Sequence, residues 1–223
     1  MLKKPKNQRA RFAQMLDYQA LKNTALNTAP YDYLVLEKFV EPSYFENVAN
    51  DFPDIAGAGS FPPSQLQIKG AFKQLMEALD GPEFRKIISE KFQINLDEYP
   101  TMYTVRGRCA PQNGQIHCDS ASKIVTVLLY LNDASWGEDG GRLRVLNSPD
   151  SLEDYAEEIN PNWGTLLVFR CTKESWHGHK SYDGVRRVIQ MNWVLSDDVV
   201  KKEQRRHIIS AKLKKFTSIF KSD

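Results

Sequence analysis

Apolar residues in the first hundred positions recur at helical intervals, whereas after Pro100 they gather into short runs separated by turn residues. In "QRARFAQMLDYQALKN", Phe12, Met15, Leu16 and Ala20 fall on one helical face, and "YDYLVLEKFV" follows as a strand. Within "PSYFENVANDFP", Ser43 and Glu46 stand at capping-box spacing after Pro42, which predicts a helix ended by Pro53. Two more helices are expected, one with Phe72, Leu75, Met76 and Leu79 in phase and one with Phe84, Ile87 and Ile88. Between these helices, "IAGAGSFPPSQ" is rich in Gly, Pro and Ser and reads as a loop placed to fold over a site.

From Thr101 to Leu195 the runs are rich in Val, Ile, Leu, Tyr and Thr, and "APQNG", "NDASWGEDGG", "NPNWG" and "SYDGV" separate them. That is the punctuation of strands and turns. A helical first half and an all-β second half predict a mainly β protein with flanking helices, a β-sandwich or jelly roll buttressed from the N-terminal side. One domain over 1–223 is expected, with helical support over 1–100, a β core over 101–195 and a basic C-terminal helix over 196–223. The acidic stretch "SPDSLEDYAEEINP" is expected as a surface insertion.

Charge changes this picture only at the ends. Residues 1–24 carry six Lys/Arg against Asp17, and residues 201–223 carry eight against Glu203 and Asp223, although the whole chain has a formal net charge of only +2. In "HIISAKLKKFTSIF", Ile209, Leu213, Phe216 and Phe220 lie at helical spacing with lysines between them. Packing against the chain's own domain is the first reading of such a helix, and peripheral contact with an anionic surface is the second. Cys109, Cys118 and Cys171 form no CxxC pair, so neither a disulfide framework nor a structural zinc site is indicated. Neither a secretory h-region nor a membrane-length apolar run is present, and a cytoplasmic protein is expected.

The chemistry concentrates in the β half, where the chain has "GQIHCDS" and "SWHGHKS". A strand through the first would put His117 and Asp119 on one face and Cys118 on the other. A further histidine from the second, His177 or His179, would complete two imidazoles and a carboxylate. Such a set suits one face of octahedral iron, and with a water it also suits catalytic zinc.

The run "HCDSASKIVTVLLYLNDASWGEDGGRLRVL", followed by "WGTLLVFRCTKESWHGHKSYDGVRRVIQMNWV", resembles the 2-oxoglutarate- and Fe(II)-dependent dioxygenases, in particular their prolyl-hydroxylase-like branch. The HxD strand, "YLN", the "GG-x-L" turn, a Gly-to-Phe strand, a distal His and a basic residue about ten positions later occur in order. "WGTLLVF" has one residue more between Gly and Phe than the tightest form of the pattern. The resemblance covers roughly residues 100–195 and implies a double-stranded β-helix, that is, a jelly roll. It implies His117, Asp119 and His177 as the Fe(II) ligands, with His179 a neighbour of undefined duty. For the distal carboxylate of the cosubstrate 2-oxoglutarate, Arg186 and Arg187 compete on opposite faces of one strand, and Arg187 is preferred for its spacing from His177 and Trp193. Tyr130 is expected beside it, with Leu143 and Trp193 lining the pocket. The implied reaction uses O2 to hydroxylate an unactivated C–H bond while 2-oxoglutarate becomes succinate, and the carboxylate of Asp119 favours hydroxylation over halogenation.

The substrate this points to is a prolyl residue, an amino acid or a sugar-type small molecule. Arg106, Arg108, Arg142 and Arg144 near the site would favour an anionic one, unless they are solvated strand-end charges. Two other classes remain: a non-catalytic jelly-roll binding module, which has no need of three ligands and an inward arginine, and a nucleic-acid-associated dioxygenase using the basic termini, for which no recognition motif speaks.

Overall fold

The computed structural model describes residues 15–133 and 136–206. The apolar face of the proposed terminal helix, from Ile209 to Phe220, and Phe12 lie outside the described residues. The helical half comprises α1 (Tyr18–Asn23), strand β1 (Tyr33–Leu36), α2 (Phe45–Asp51), α3 (Gly70–Leu79) and α4 (Pro82–Phe92). The β half comprises β2 (Thr101–Cys109), β3 (Lys123–Tyr130), β4 (Leu143–Leu146), β5 (Tyr155–Ile159), β6 (Leu166–Arg170), β7 (His177–His179) and β8 (Gly184–Val194). A last helix, α5, runs over 197–206.

The strands form two antiparallel sheets, a major one in the order β1-β6-β3-β8-β2 and a minor one in the order β5-β4-β7. This is a jelly-roll core with helices on one side. The acidic stretch is not merely a surface insertion, because its residues 155–159 form β5 and pair with β4. The glutamates carry the pairing: Glu158 accepts from Arg144 Nε at 2.7 Å, and Glu153 accepts from Arg144 Nη1 at 2.9 Å. The loop 56–64 also has a place, with Phe61 bridged to Val105 and Ala58 to Arg108 along the edge of β2. No side-chain cap hydrogen bond forms at Ser43; instead Asp51 Oδ2 accepts from the Ala71 amide at 2.7 Å and caps α3.

Period-two alternation in the major sheet produces two cores. Val125, Val127 and Leu129 of β3, Leu166 and Val168 of β6, and Ile189, Met191 and Trp193 of β8 face the helices and join Phe72, Leu75, Phe84, Ile88 and Phe92. The opposite parity, Leu128 and Tyr130, Leu167 and Phe169, and Val188, meets Leu143, Val145 and Ile159 between the sheets. Trp193 is therefore not a pocket residue, contrary to the expectation from its motif. It is 1% exposed, stacked on Phe84 at a centroid distance of 6.2 Å, with the Arg85 guanidinium over its ring.

Truncating Trp193 to Ala should cost about 3–5 kcal/mol of unfolding free energy, as deletion of a buried aromatic does. Urea unfolding followed by far-UV circular dichroism checks this; a loss below about 1 kcal/mol would mean that the ring does not carry the helix–sheet core.

Candidate active site

The inner face of the major sheet is polar where the outer face is apolar. Thr104 and Arg106 of β2, Thr126 of β3, and Arg186, Gln190 and Asn192 of β8 open onto a cavity of about 450 Å³, together with Leu128, Leu143, Phe169 and Val188. His117, Asp119 and His177 stand in the same cavity, with one ligand-type atom from each lying within 4.8 Å of the others. Two elements bring them together. His117 pairs with His177 as an isolated antiparallel bridge, the amide of each donating to the other's carbonyl at 3.0 Å, so the segment before β3 extends the minor sheet beyond β7. His177 is 5% exposed and its ring packs on Phe169, whereas His117 lies on the solvent side.

The hydrogen bonds around these rings select their tautomers. His117 Nδ1 is 2.8 Å from the Gln115 carbonyl, and His177 Nδ1 is 2.9 Å from the Ser175 carbonyl. A carbonyl only accepts, so each Nδ1 carries the proton and each Nε2 keeps a lone pair for a metal. Burial is the main cause that pushes the His177 pKa down to about 4, so this imidazole is neutral at neutral pH.

Asp119 is fixed from two sides. Lys123 Nζ donates to Oδ1 at 2.7 Å, and the Thr126 hydroxyl donates to Oδ2 at 2.5 Å. Thr126 in turn accepts from Asn192 Nδ2 at 2.7 Å, so a polar chain links β8 through β3 to the carboxylate. Burial alone would raise the Asp119 pKa, but the Lys123 charge and these hydrogen bonds outweigh it and hold the carboxyl at about 2. Two imidazole Nε2 atoms and an ionised carboxylate at one end of a cavity fit a divalent metal by donor chemistry.

His179 stands apart from this cluster. Its Nδ1 donates to the Lys180 carbonyl at 2.8 Å, its Nε2 faces Cys109 Sγ at 3.8 Å, and burial lowers its pKa to about 4. The ring lies over Gly114, where φ is +84° and a Cβ would come within 2.4 Å of the imidazole.

The arginine pair resolves oppositely to the motif spacing. Arg186 has the cavity parity of Val188, Gln190 and Asn192, is 5% exposed, donates through Nε to the Gly141 carbonyl at 2.7 Å and through Nη2 to the Tyr130 hydroxyl at 3.4 Å. Gly141 reaches that position with φ +77° in the "GG" turn. Arg187 points the other way, with its guanidinium 5.1 Å from the Phe52 ring, so it does not line the cavity that holds Asp119. Spacing from His177 favours Arg187, whereas alternation with the polar residues Gln190 and Asn192 puts Arg186 on the cavity face. Leu143 lines the cavity and Tyr130 is fully buried beside Arg186. The structure adds Lys123, Thr126 and Asn192, which no sequence motif singles out, and places Arg106, already expected near the site, in the cavity wall.

Residues 105–195 match the family model described as the 2OG-Fe(II) oxygenase superfamily. Those residues form a 2OG-Fe(II) oxygenase domain. The oxygenase superposes on a Pseudomonas putida prolyl-4-hydroxylase with a TM-score of 0.53 at 16% identity, covering 79% of this chain and 91% of that one. It superposes equally, at 0.53 and 18% identity, on a Trichoplax adhaerens prolyl hydroxylase solved with a hypoxia inducible factor oxygen degradation domain peptide fragment, covering 91% of this chain and 97% of that one. No curated protein matches the chain. The family match makes this an Fe(II)- and 2-oxoglutarate-dependent dioxygenase of the hydroxylase type that uses O2. Among the described residues no helix is long and apolar enough to cross a membrane.

Two acid transitions are expected in the metal-free oxygenase. A histidine with a folded pKa near 4 binds protons more readily when unfolded, so His177 and His179 each remove stability as pH falls from about 6.5 to about 4. Asp119 has the opposite protonation chemistry but the same trend, since its contribution is present above pH 3.8 and is lost as pH falls to about 2. Denaturant unfolding across this range should show a loss on the order of 2–3 kcal/mol for each histidine before the Asp119 step. His179→Asn should remove one histidine's share, and an unchanged pH profile in that variant would contradict the assignment.

Proposed function

We propose that His117, Asp119 and His177 hold the Fe(II) of this oxygenase and that Arg186, with Tyr130, receives the distal carboxylate of 2-oxoglutarate. The reaction is hydroxylation of an unactivated C–H bond in a prolyl residue, an amino acid or a sugar-type small molecule, with 2-oxoglutarate decarboxylated to succinate. The observation that carries this reading is the placing of a three-donor cluster and an Arg186 guanidinium, which has no carboxylate partner among the described residues, on the walls of one cavity. The bound iron would supply the redox centre at which O2 is reduced with electrons from 2-oxoglutarate.

The chain's own residues do the rest. His117 and His177 present Nε2, and the Lys123–Thr126 clamp keeps Asp119 ionised and oriented. Arg186 is held by Gly141 and Tyr130 before any ligand arrives, so its remaining N–H groups meet a carboxylate without reorganisation. Leu128, Leu143, Phe169 and Val188 form an apolar wall that suits an aliphatic substrate carbon and displaces water. The prolyl hydroxylases that share the fold make a prolyl residue one natural candidate.

Anaerobic addition of Fe(II) and then 2-oxoglutarate should produce a visible metal-to-ligand charge-transfer band in the wild type and in His179→Ala, and none in His177→Ala. Arg186→Met should raise the 2-oxoglutarate requirement by about ten-fold or more, the scale of a lost charge-assisted hydrogen bond, while Arg187→Met leaves it unchanged. Equal behaviour of the two arginine variants would overturn the assignment of Arg186.

A further inference from the structure

Of the four arginines flanking the site, three are accounted for. Arg144 pairs with Glu153 and Glu158, Arg142 with Glu158, and Arg108 with Asp183. Arg106 is different. It lines the same cavity as Asp119, His177 and Arg186, makes no ion pair among the described residues, and its Nε is enclosed without a hydrogen-bond partner. Burial, with the neighbouring Arg186 charge adding to it, lowers its pKa, while Cys109, Asp119 and Tyr130 act in the other direction. The nearby acid does not bond to it: Asp119 accepts its hydrogen bonds from Lys123 and Thr126.

Charge balance then points to an anion. Lys123 answers Asp119, and Glu203, which reaches the cavity from α5, is answered by Arg206 at 2.6 Å. In the loaded enzyme the distal carboxylate of 2-oxoglutarate would answer Arg186. The Arg106 guanidinium is then left without an anion in a partly enclosed site, where uncompensated charge is costly.

We propose that Arg106 binds an anionic group, a carboxylate, on the substrate to be hydroxylated, and so restricts this oxygenase to acidic substrates. The proposal rests on the iron and 2-oxoglutarate reading above and adds the class of substrate to it. An enclosed guanidinium with free N–H groups favours a planar carboxylate, to which it makes two parallel charge-assisted hydrogen bonds. Arg106 lies on β2 opposite Val188, two residues along β8 from Arg186, so the two guanidiniums share one wall of the cavity and the 2-oxoglutarate titration below tells their anions apart.

The test compares wild type, Arg106→Met and Arg106→Lys, each loaded anaerobically with Fe(II) and 2-oxoglutarate, with sodium acetate as the carboxylate probe replacing sodium chloride at constant ionic strength. Acetate should raise the melting temperature of wild type and Arg106→Lys but not of Arg106→Met. In chloride alone Arg106→Met should melt higher than wild type, by about 2–4 °C, because an unpaired charge has been replaced by an apolar chain of similar length. The charge-transfer titration with 2-oxoglutarate should be the same in all three proteins. A lower melting temperature for Arg106→Met would make Arg106 a structural residue, and an acetate gain equal in wild type and Arg106→Met would remove the anion site; either result overturns the proposal. A ten-fold greater 2-oxoglutarate requirement in Arg106→Met would also overturn it, by assigning the residue to the cosubstrate. Failure of the iron reading is separable, since it would appear as absence of the band in wild type.

Discussion

The structure depends on a major sheet that must satisfy two incompatible environments at once. One face of β3, β6 and β8 is sealed by the helices, and burial of Val127, Val168, Met191 and their neighbours there supplies the hydrophobic term that stabilises the fold. The other face carries Thr126, Arg186, Gln190 and Asn192, whose desolvation works against folding. Because a strand's side chains alternate strictly, neither face can be changed by sliding a strand one residue without exchanging the two sets. The apolar face therefore fixes the register, and the register aims the site.

That coupling explains how the His117, Asp119 and His177 cluster is built from so little regular structure. His117 and Asp119 precede β3 rather than lie within it, and β7 is only three residues long. The cross-bridge between His117 and His177 and the clamp on Asp119 replace the missing strand length. Tyr31, from the segment before β1, donates to the Trp176 carbonyl at 2.9 Å and packs on Phe169, which itself contacts the His177 ring. The helical half of the chain thus steadies the distal histidine through one phenol, a long-range support of the kind that ligand geometry needs.

Much of this was legible in the sequence, for physical reasons that differ between elements. The helices with Phe72, Leu75, Met76 and Leu79 and with Phe84, Ile87 and Ile88 could be read because their apolar positions follow one period over two or more turns. The His117, Asp119 and His177 cluster could be read because alternation puts the first two together and the motif supplies the third. Arg187 and Trp193 misled because a motif counts residues along the chain, whereas the site depends on parity within β8. The same strand contained the correction: Gln190 and Asn192 are polar residues alternating with Ile189, Met191 and Trp193, and Arg186 shares their parity. Lys123 and β5 were not readable in this way, since a lysine four residues after a carboxylate and an acidic strand are indistinguishable from solvated surface until their partners are known.

The charges at the rim and in the cavity follow opposite rules, and the contrast bears on what the protein is for. Arg142 and Arg144 are neutralised within the minor sheet by acids two strands can reach, so they add cross-strand pairing and local order to β4 and β5. Arg186 is restrained by a carbonyl and a phenol, which orient it but do not cancel its charge. Arg106 lacks even that restraint at its Nε. A sequence under pressure for stability alone would place an acid or an apolar residue at one of these positions, since a desolvated charge without its partner opposes folding. Two guanidiniums that no described residue compensates beside a donor cluster favour anionic ligands, and the large helix–sheet core is what lets the fold tolerate them.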